Sequence, residues 1–306
     1  MELTELQQKI LKTIARFDVL DRPLTLLELM NYLDYPTTTE KLLKEISQKP
    51  LKNYIEEKQG WYFLSGRSDL TKIKNEHYRI ASKKIKIAQT AAKILKNFPW
   101  IRGIAIYSSL ALKNCHDESD IDLFFITAPN RVWSARFFIN LILKLLRLRP
   151  SETKTKNKLC PSYFADENHL DLSIVNYSND YYYYYFGPAS FIFLYSSQKI
   201  KEKFYKANQW INTIFPNYKQ PELSIIYDEN KIKYILEKIL TPFINEKFLR
   251  QWQLKILPTK YLKSCDGKKV ILNESIIKLH DNDKRNNYNL LFEDKIEKIL
   301  NAKTNY

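Results

Sequence analysis

The sequence predicts an α+β chain in three parts. A helical start closed by a short hairpin covers residues 1–67, a central mixed sheet with flanking helices covers 68–177, and a mainly helical region covers 178–306. Three observations carry that prediction. Apolar residues recur at helical spacing through the opening segment and give way to two short strand-like runs. Two apolar runs between Ile104 and Ile126 then enclose a small-residue turn and a group of acids. From about Ser178 onward helical periodicity returns, through Tyr181–Phe186, Lys199–Trp210 and Asn230–Leu249.

In the first part, Leu6, Ile10, Leu11, Ile14 and Phe17 mark one face of a helix. Pro23 and Thr25 open a second, through Leu26, Leu29 and Met30. Thr37 to Thr39 offer N-caps for a third, with Glu40 in its first turn and Leu42, Leu43 and Ile46 as its apolar face. Tyr54–Lys58 and Trp61–Leu64, separated by Gln59-Gly60, read as two strands around a tight turn. Three helices and a terminal hairpin resemble a winged helix, in which the third helix would enter a major groove. Its Lys41, Lys44 and Lys49 stand against Glu40 and Glu45, so a protein-contact role is an equal expectation.

A long helix, roughly Asp69 to Asn97, is expected to link this module to the central part. It is dense in lysine (Lys72, Lys74, Lys83, Lys84, Lys86, Lys93 and Lys96), and Ala81, Ile85, Ala88, Ala92 and Leu95 are spaced to form its buried side. The polar stretch Ser151–Lys158 reads as a loop. The five tyrosines Tyr181–Tyr185 read as amphipathic packing rather than as a platform for stacked bases.

Charge narrows the partners. A net charge of +15 favours polyanions such as nucleic acid or nucleotide phosphates. Five glycines, with neither G-x-G-x-x-G nor a P-loop pattern, argue against a glycine-rich phosphate loop. Cys115, Cys160 and Cys265 lie far apart, without disulfide-framework or zinc spacing. The start lacks a signal-peptide pattern, and the most apolar run, Phe137–Leu148, is too short to span a bilayer and is interrupted by Lys144 and Arg147. A cytoplasmic protein with no membrane partner is expected.

The chemistry concentrates in Ile104–Leu112 and Asp117–Ile126. An apolar strand leads into Ser108-Ser109-Leu110-Ala111, and a second begins Ser119-Asp120-Ile121-Asp122-Leu123. Strand alternation puts Asp120 and Asp122 on one face. Two acids side by side on an apolar strand repel each other unless a cation lies between them. A hard divalent ion held by carboxylates and substrate phosphates supplies that cation.

On these residues the chain resembles the polymerase-beta-like nucleotidyltransferase superfamily, whose signature is a strand ending in Gly-Ser, a gap, and Asp-x-Asp flanked by apolar residues. The whole layout is similar to bacterial nucleotidyltransferase-domain proteins with an N-terminal winged helix. The resemblance implies Mg²⁺ (or Mn²⁺) at Asp120 and Asp122, with nucleotide phosphates at Ser108 and Ser109. A third metal ligand and general base is implied on a later strand, where Leu170-Asp171-Leu172 fits, placing Asp171 opposite a hairpin partner at Leu159–Phe164. Ser108 departs from the family's glycine, a residue that reaches positive φ more easily.

Arg131, after the second strand, is a candidate for triphosphate contact. His280, Asp283, Lys284 and Arg285, in the polar segment Leu279–Tyr288, are candidate substrate contacts, with a charged helix start as the alternative. The activity implied is transfer of a nucleoside monophosphate from NTP to an acceptor hydroxyl. Basic charge and the winged start favour a polymer acceptor, expected to be RNA (tRNA-like) rather than DNA. Nucleotidylation of a protein or small molecule, and a non-catalytic nucleic-acid-binding regulator, are the alternatives.

Overall fold

A computed structural model describes residues 2–151, 153–175, 180–221, 231–280 and 284–301. The described residues form a mixed α+β fold with a mixed sheet and no barrel.

The opening segment folds as its caps dictate. Helix α1 (Glu5–Asp18) starts in a capping box between Thr4 and Gln7, and α2 (Leu26–Tyr32) in another between Thr25 and Glu28. Helix α3 (Thr39–Ser47) is capped by Thr38. Strands β1 (Ile55–Lys58) and β2 (Trp61–Leu64) pair antiparallel around Gln59 and Gly60, both at positive φ, the backbone that a two-residue hairpin turn requires. Helix α4 (Leu70–Leu95) follows.

Next come β3 (Ile101–Ile106), the single turn α5 (Ser108–Ala111), β4 (Ile121–Thr127), α6 (Val132–Leu145) and β5 (Leu159–Asp166). Helix α7 (Tyr181–Phe186), β6 (Ile192–Ser196), α8 (Gln198–Ala207), α9 (Ile211–Ile214), α10 (Lys231–Leu240), α11 (Glu246–Ile256) and α12 (Thr259–Lys263) lead to β7 (Val270–Leu272), β8 (Ile276–Leu279) and α13 (Arg285–Asn301). The six-stranded sheet runs β6-β3-β4-β5-β8-β7, antiparallel except for the β4–β5 pair. Three of its strands therefore come from beyond residue 178, where helix was expected to dominate. Short apolar runs such as Ile192–Tyr195 have no period that separates a buried strand from a buried helix.

Strand alternation divides the core. Leu123 and Phe125 face α4 and α6 in one apolar cluster, while Phe124 and Ile126 join the cluster on the other face. That second cluster includes the N-terminal helices and the tyrosines of α7. Tyr182 to Tyr185 are buried, and the Tyr185 ring packs 4.4 Å from Phe17, so these rings serve packing.

Two expectations need correction. Residues around Asp171 do not form a strand: β5 runs on to Asp166, and Leu172–Val175 is a 3-10 turn. Asn208, at the end of α8, bonds the Leu170 carbonyl and the Leu172 amide and so takes the polar groups that a ladder would use. The lysines of α4 do not all face outward either. Lys74 and Lys84 are buried, leaving Lys72, Arg79, Lys83, Lys86 and Lys93 along its exposed line, with Glu76 among them.

Candidate active site at the start of strand β4

The end of β3 and the starts of β4, β5 and β6 meet at one edge of the sheet, because β3 runs antiparallel to β4 and β6 while β4 and β5 run parallel. At that edge the chain leaves β3 through Ser108, which holds φ 65°. This left-handed conformation costs a residue with a Cβ about 1 kcal/mol. The strain has a local return. The Ser108 side chain lies beside the Asp122 carboxylate and favours its charged form. The expectation that this position needs glycine-like backbone agrees with the observed φ.

Asp120 and Asp122 are half-buried, and their carboxylate oxygens lie with the Cys160 sulfur in one group whose donor atoms are all within 4.8 Å of each other. Cys160 is the register partner of Asp122 on β5, and its thiol beside Asp120 favours that acid's charged form. Ser162, two residues on, donates to Asp122 at 3.4 Å and meets the Tyr107 hydroxyl at 2.7 Å. Among the described residues neither acid forms an ion pair. Burial raises the Asp120 carboxyl above its ordinary range. Burial, reinforced by the charge of Asp120, pushes Asp122 up to about 7, against the hydrogen bonds from Ser108 and Ser162. Burial and both carboxylates push the Cys160 thiol up as well.

The loop leading into β4 is anchored by a lysine from α4. Lys84 Nζ donates to the carbonyls of Asp117 (2.9 Å) and Ser119 (2.7 Å) and to Asn157 Oδ1 (3.0 Å). A charge that reads in the sequence as solvated surface thus fixes the approach to Asp120.

Beside the acids lies a cleft of about 450 Å³. Ser108 and Ser109 line it together with Tyr107, His116 and Tyr163, and the loop at Val19–Asp21 closes one side. Lys278, His280, Lys284 and Arg285 supply a basic wall. The Tyr163 hydroxyl is buried there without a hydrogen-bond partner among the described residues. Neither carboxylate lines the cleft itself. Ser108, which lines the cleft and lies beside Asp122, is the link between them.

The structure thus brings Ser108, Ser109, Asp120 and Asp122 to one sheet edge, with His280, Lys284 and Arg285 across the adjoining cleft. Arg285 is also structural, since its guanidinium pairs with buried Asp180 at 2.9 Å. Asp283 lies outside the described residues. Asp171 is not part of the acid group: it is exposed, and its carboxylate accepts from the Ser173 amide. Arg131 is also displaced from the site, beyond the far end of β4. Its guanidinium donates to the carbonyls of Ile244 (3.0 Å) and Thr241 (3.4 Å) and lies over the Trp100 ring.

Sequence reasoning missed Cys160, Ser162 and Lys84. The only signal for Cys160 was its place at the head of an apolar run, which acquires meaning once the β4–β5 register is known. The donor set can be tested against Mg²⁺. Two carboxylates fit a hard divalent cation, whereas the thiol at the third position offers no hard oxygen. Comparison with protein-family models, with curated proteins and with solved structures finds no match in any of the three.

Proposed function

We propose that this edge is the centre of a metal-dependent nucleotidyltransferase of the polymerase-beta-like kind, with an N-terminal winged helix, moving a nucleoside monophosphate from NTP to an acceptor hydroxyl. One observation carries the reading. Two half-buried carboxylates with no ion-pair partner among the described residues stand at the start of β4, joined through Ser108 to a cleft with a basic wall. A divalent cation between the acids would neutralise their repulsion and draw in phosphate oxygens.

The chain's own residues divide the remaining work. Asp120 and Asp122 would hold the ion, while Ser162 orients Asp122 by donating to it and Ser108 lies beside it, favouring its charged form. Ser109 and the wall of Lys278, His280, Lys284 and Arg285 would receive the negative charge of the nucleotide. Lys84 holds the entry loop so that Asp120 keeps its position. RNA is the favoured acceptor, supported by the exposed basic line of α4, the helix that also supplies Lys84. The cleft's volume lies within the range of small-molecule sites, which supports a small acceptor as the competing choice.

A second reading, nucleotide binding without transfer, is favoured by one specific feature. Cys160 occupies the strand position beside Asp122, and Asp171 is elsewhere, so a third carboxylate is missing from the group among the described residues. Incubating the protein with α-labelled NTP and total RNA, DNA, protein or a small-molecule extract, with NTP binding measured alongside, separates the readings. Label transferred to RNA supports the first proposal, and transfer to protein or small molecule moves the acceptor. NTP binding without transfer to any of them establishes the second reading.

A further inference from the structure

Helices α10 and α11 are built inside out. On α10 the side chains turned towards the body are Lys233 and Glu237, both buried. Lys233 Nζ donates to the Ile101 carbonyl at 2.7 Å and to the Tyr195 hydroxyl at 3.0 Å. Glu237 receives both terminal nitrogens of Arg102 at 2.7 Å and the Trp100 amide at 2.7 Å. Four residues apart, these two polar groups fix which face of the helix is inward. The opposite face is therefore apolar and outward: Ile232 is 67% exposed, Ile235 57% and Ile239 55%.

The following segment repeats the pattern. Phe243 is 82% exposed. On α11, Glu246 accepts from the amides of Trp133 and Ser134 at the start of α6, and buried Gln253 bridges Arg136 and the Trp133 carbonyl. With the polar side anchored, Phe248 and Ile256 point outward, 63% and 61% exposed. The Trp252 ring lies 5.6 Å from Phe137, so this apolar surface continues onto α6. Isolated exposed apolar residues are ordinary, but several at helical spacing on two successive helices mark a contact surface.

Charge selects the occupant. From 231 to 263 the chain holds only two acids, Glu237 and Glu246, and both are turned inward. Lys238, Lys247, Lys255 and Lys263 are exposed on the same segment, and residues 128–151 on the α6 side contain no acid at all. A second copy would bring the same cations against these. Nucleic acid would meet the cations but leave the isoleucines and phenylalanines in water. An anionic bilayer satisfies both, with apolar side chains entering at the headgroup boundary and lysines meeting lipid phosphates.

We propose that the face formed by α10, the Thr241–Phe243 turn and α11 docks this protein peripherally on an anionic lipid surface. No helix among the described residues is long and apolar enough to cross a membrane. The expectation of no membrane partner rested on span length, and a surface-lying face needs no span.

Flotation of the full chain with vesicles tests this. Vesicles of equimolar phosphatidylcholine and phosphatidylglycerol should carry the protein, and phosphatidylcholine alone should bind at least about tenfold more weakly. The combined Ile235→Ser, Phe243→Ser and Phe248→Ser variant should lose binding by a similar factor while melting as the parent does. Charge reversal on α4 (Lys72→Glu, Lys83→Glu, Lys86→Glu) should leave flotation within about twofold, since that line lies outside the proposed face. No flotation with the anionic vesicles would overturn the proposal. So would equal loss from the α4 variant, which would mean non-specific attraction of a +15 chain. A dimer in light scattering that the serine variant dissociates would assign the face to a second copy instead.

Discussion

The two ends of β4 handle charge in opposite ways. Beyond its far end, Arg102 pairs with Glu237, Glu246 caps α6, and Arg131 donates to two carbonyls. The charged groups there are satisfied within the protein, by an ion pair or by hydrogen bonds to neutral groups. At the start of the same strand, roughly 20 Å away for seven residues of extended chain, Asp120 and Asp122 share a half-buried edge with hydroxyls and a thiol but no ion pair among the described residues. Matched charge needs nothing from outside and holds α6, α10 and α11 in place. Unmatched like charge destabilises the protein alone, and a cation or a proton relieves it. The difference identifies which end is structural and which is a candidate for chemistry.

The largest expected effect breaks the matched end. Glu237→Gln leaves half-buried Arg102 without its ion-pair partner and should lower stability by about 3 kcal/mol, read as a drop in the denaturant midpoint. The Asp120–Asp122 edge should keep its metal response in the folded fraction. Stability within error of the parent would show that the far end is not held by this pair.

The unmatched end should respond with the opposite sign. Asp122 has a raised folded pKa of about 7 against 3.8 unfolded, so the folded state takes up the proton more readily. Its destabilising contribution is therefore absent below about pH 4, grows as pH rises, and is fully present above about 7. Asp122→Asn should raise the melting temperature at pH 8 by at least about 2 °C, flatten its pH dependence, and abolish nucleotidyl transfer. Undiminished transfer would remove Asp122 from the mechanism.

Local pattern made part of this legible. Asp120-Ile121-Asp122 and the turn at Ser108-Ser109 are contiguous in sequence, and strand alternation alone aligns the two acids. Apolar spacing, the helix starts at Thr25 and Thr37–Thr39 and the Gln59-Gly60 turn made the opening helices and hairpin legible for the same reason. Asp171 misled because Leu170 and Leu172 are indeed buried on either side of an exposed acid. That alternation also arises when a single asparagine, Asn208, pins an irregular stretch. Cys160 and Lys84 owe their roles to groups 33 to 73 positions away or to inter-strand register, and no local periodicity reports such pairing.

A smaller effect sharpens the turn. Ser108→Gly relieves the positive φ and should gain up to about 1 kcal/mol, partly offset by losing the hydroxyl beside Asp122. Ser108→Ala keeps the strain and loses the hydroxyl, so it should be the less stable of the two. NTP affinity should hold or tighten in the glycine variant. Markedly weaker binding would mean that the hydroxyl itself contacts nucleotide.

Smallest of all, Asp171→Asn should change stability by less than about 0.5 kcal/mol, as expected for an exposed residue outside the acid group, and should leave transfer unaltered. A large loss of transfer would restore the reading in which Asp171 completes the site.

The central claim is that the start of β4 is unmatched charge awaiting a divalent ion. Thermal unfolding across a Mn²⁺ series at pH 8, for the parent and for the Asp120→Asn, Asp122→Asn double variant, tests it most directly. A ligand that binds only the folded state raises the melting temperature in proportion to the logarithm of its concentration once it is in excess. The parent should show that rise and the double variant should stay flat. A flat parent, or a rise of equal size in both proteins, would contradict the claim.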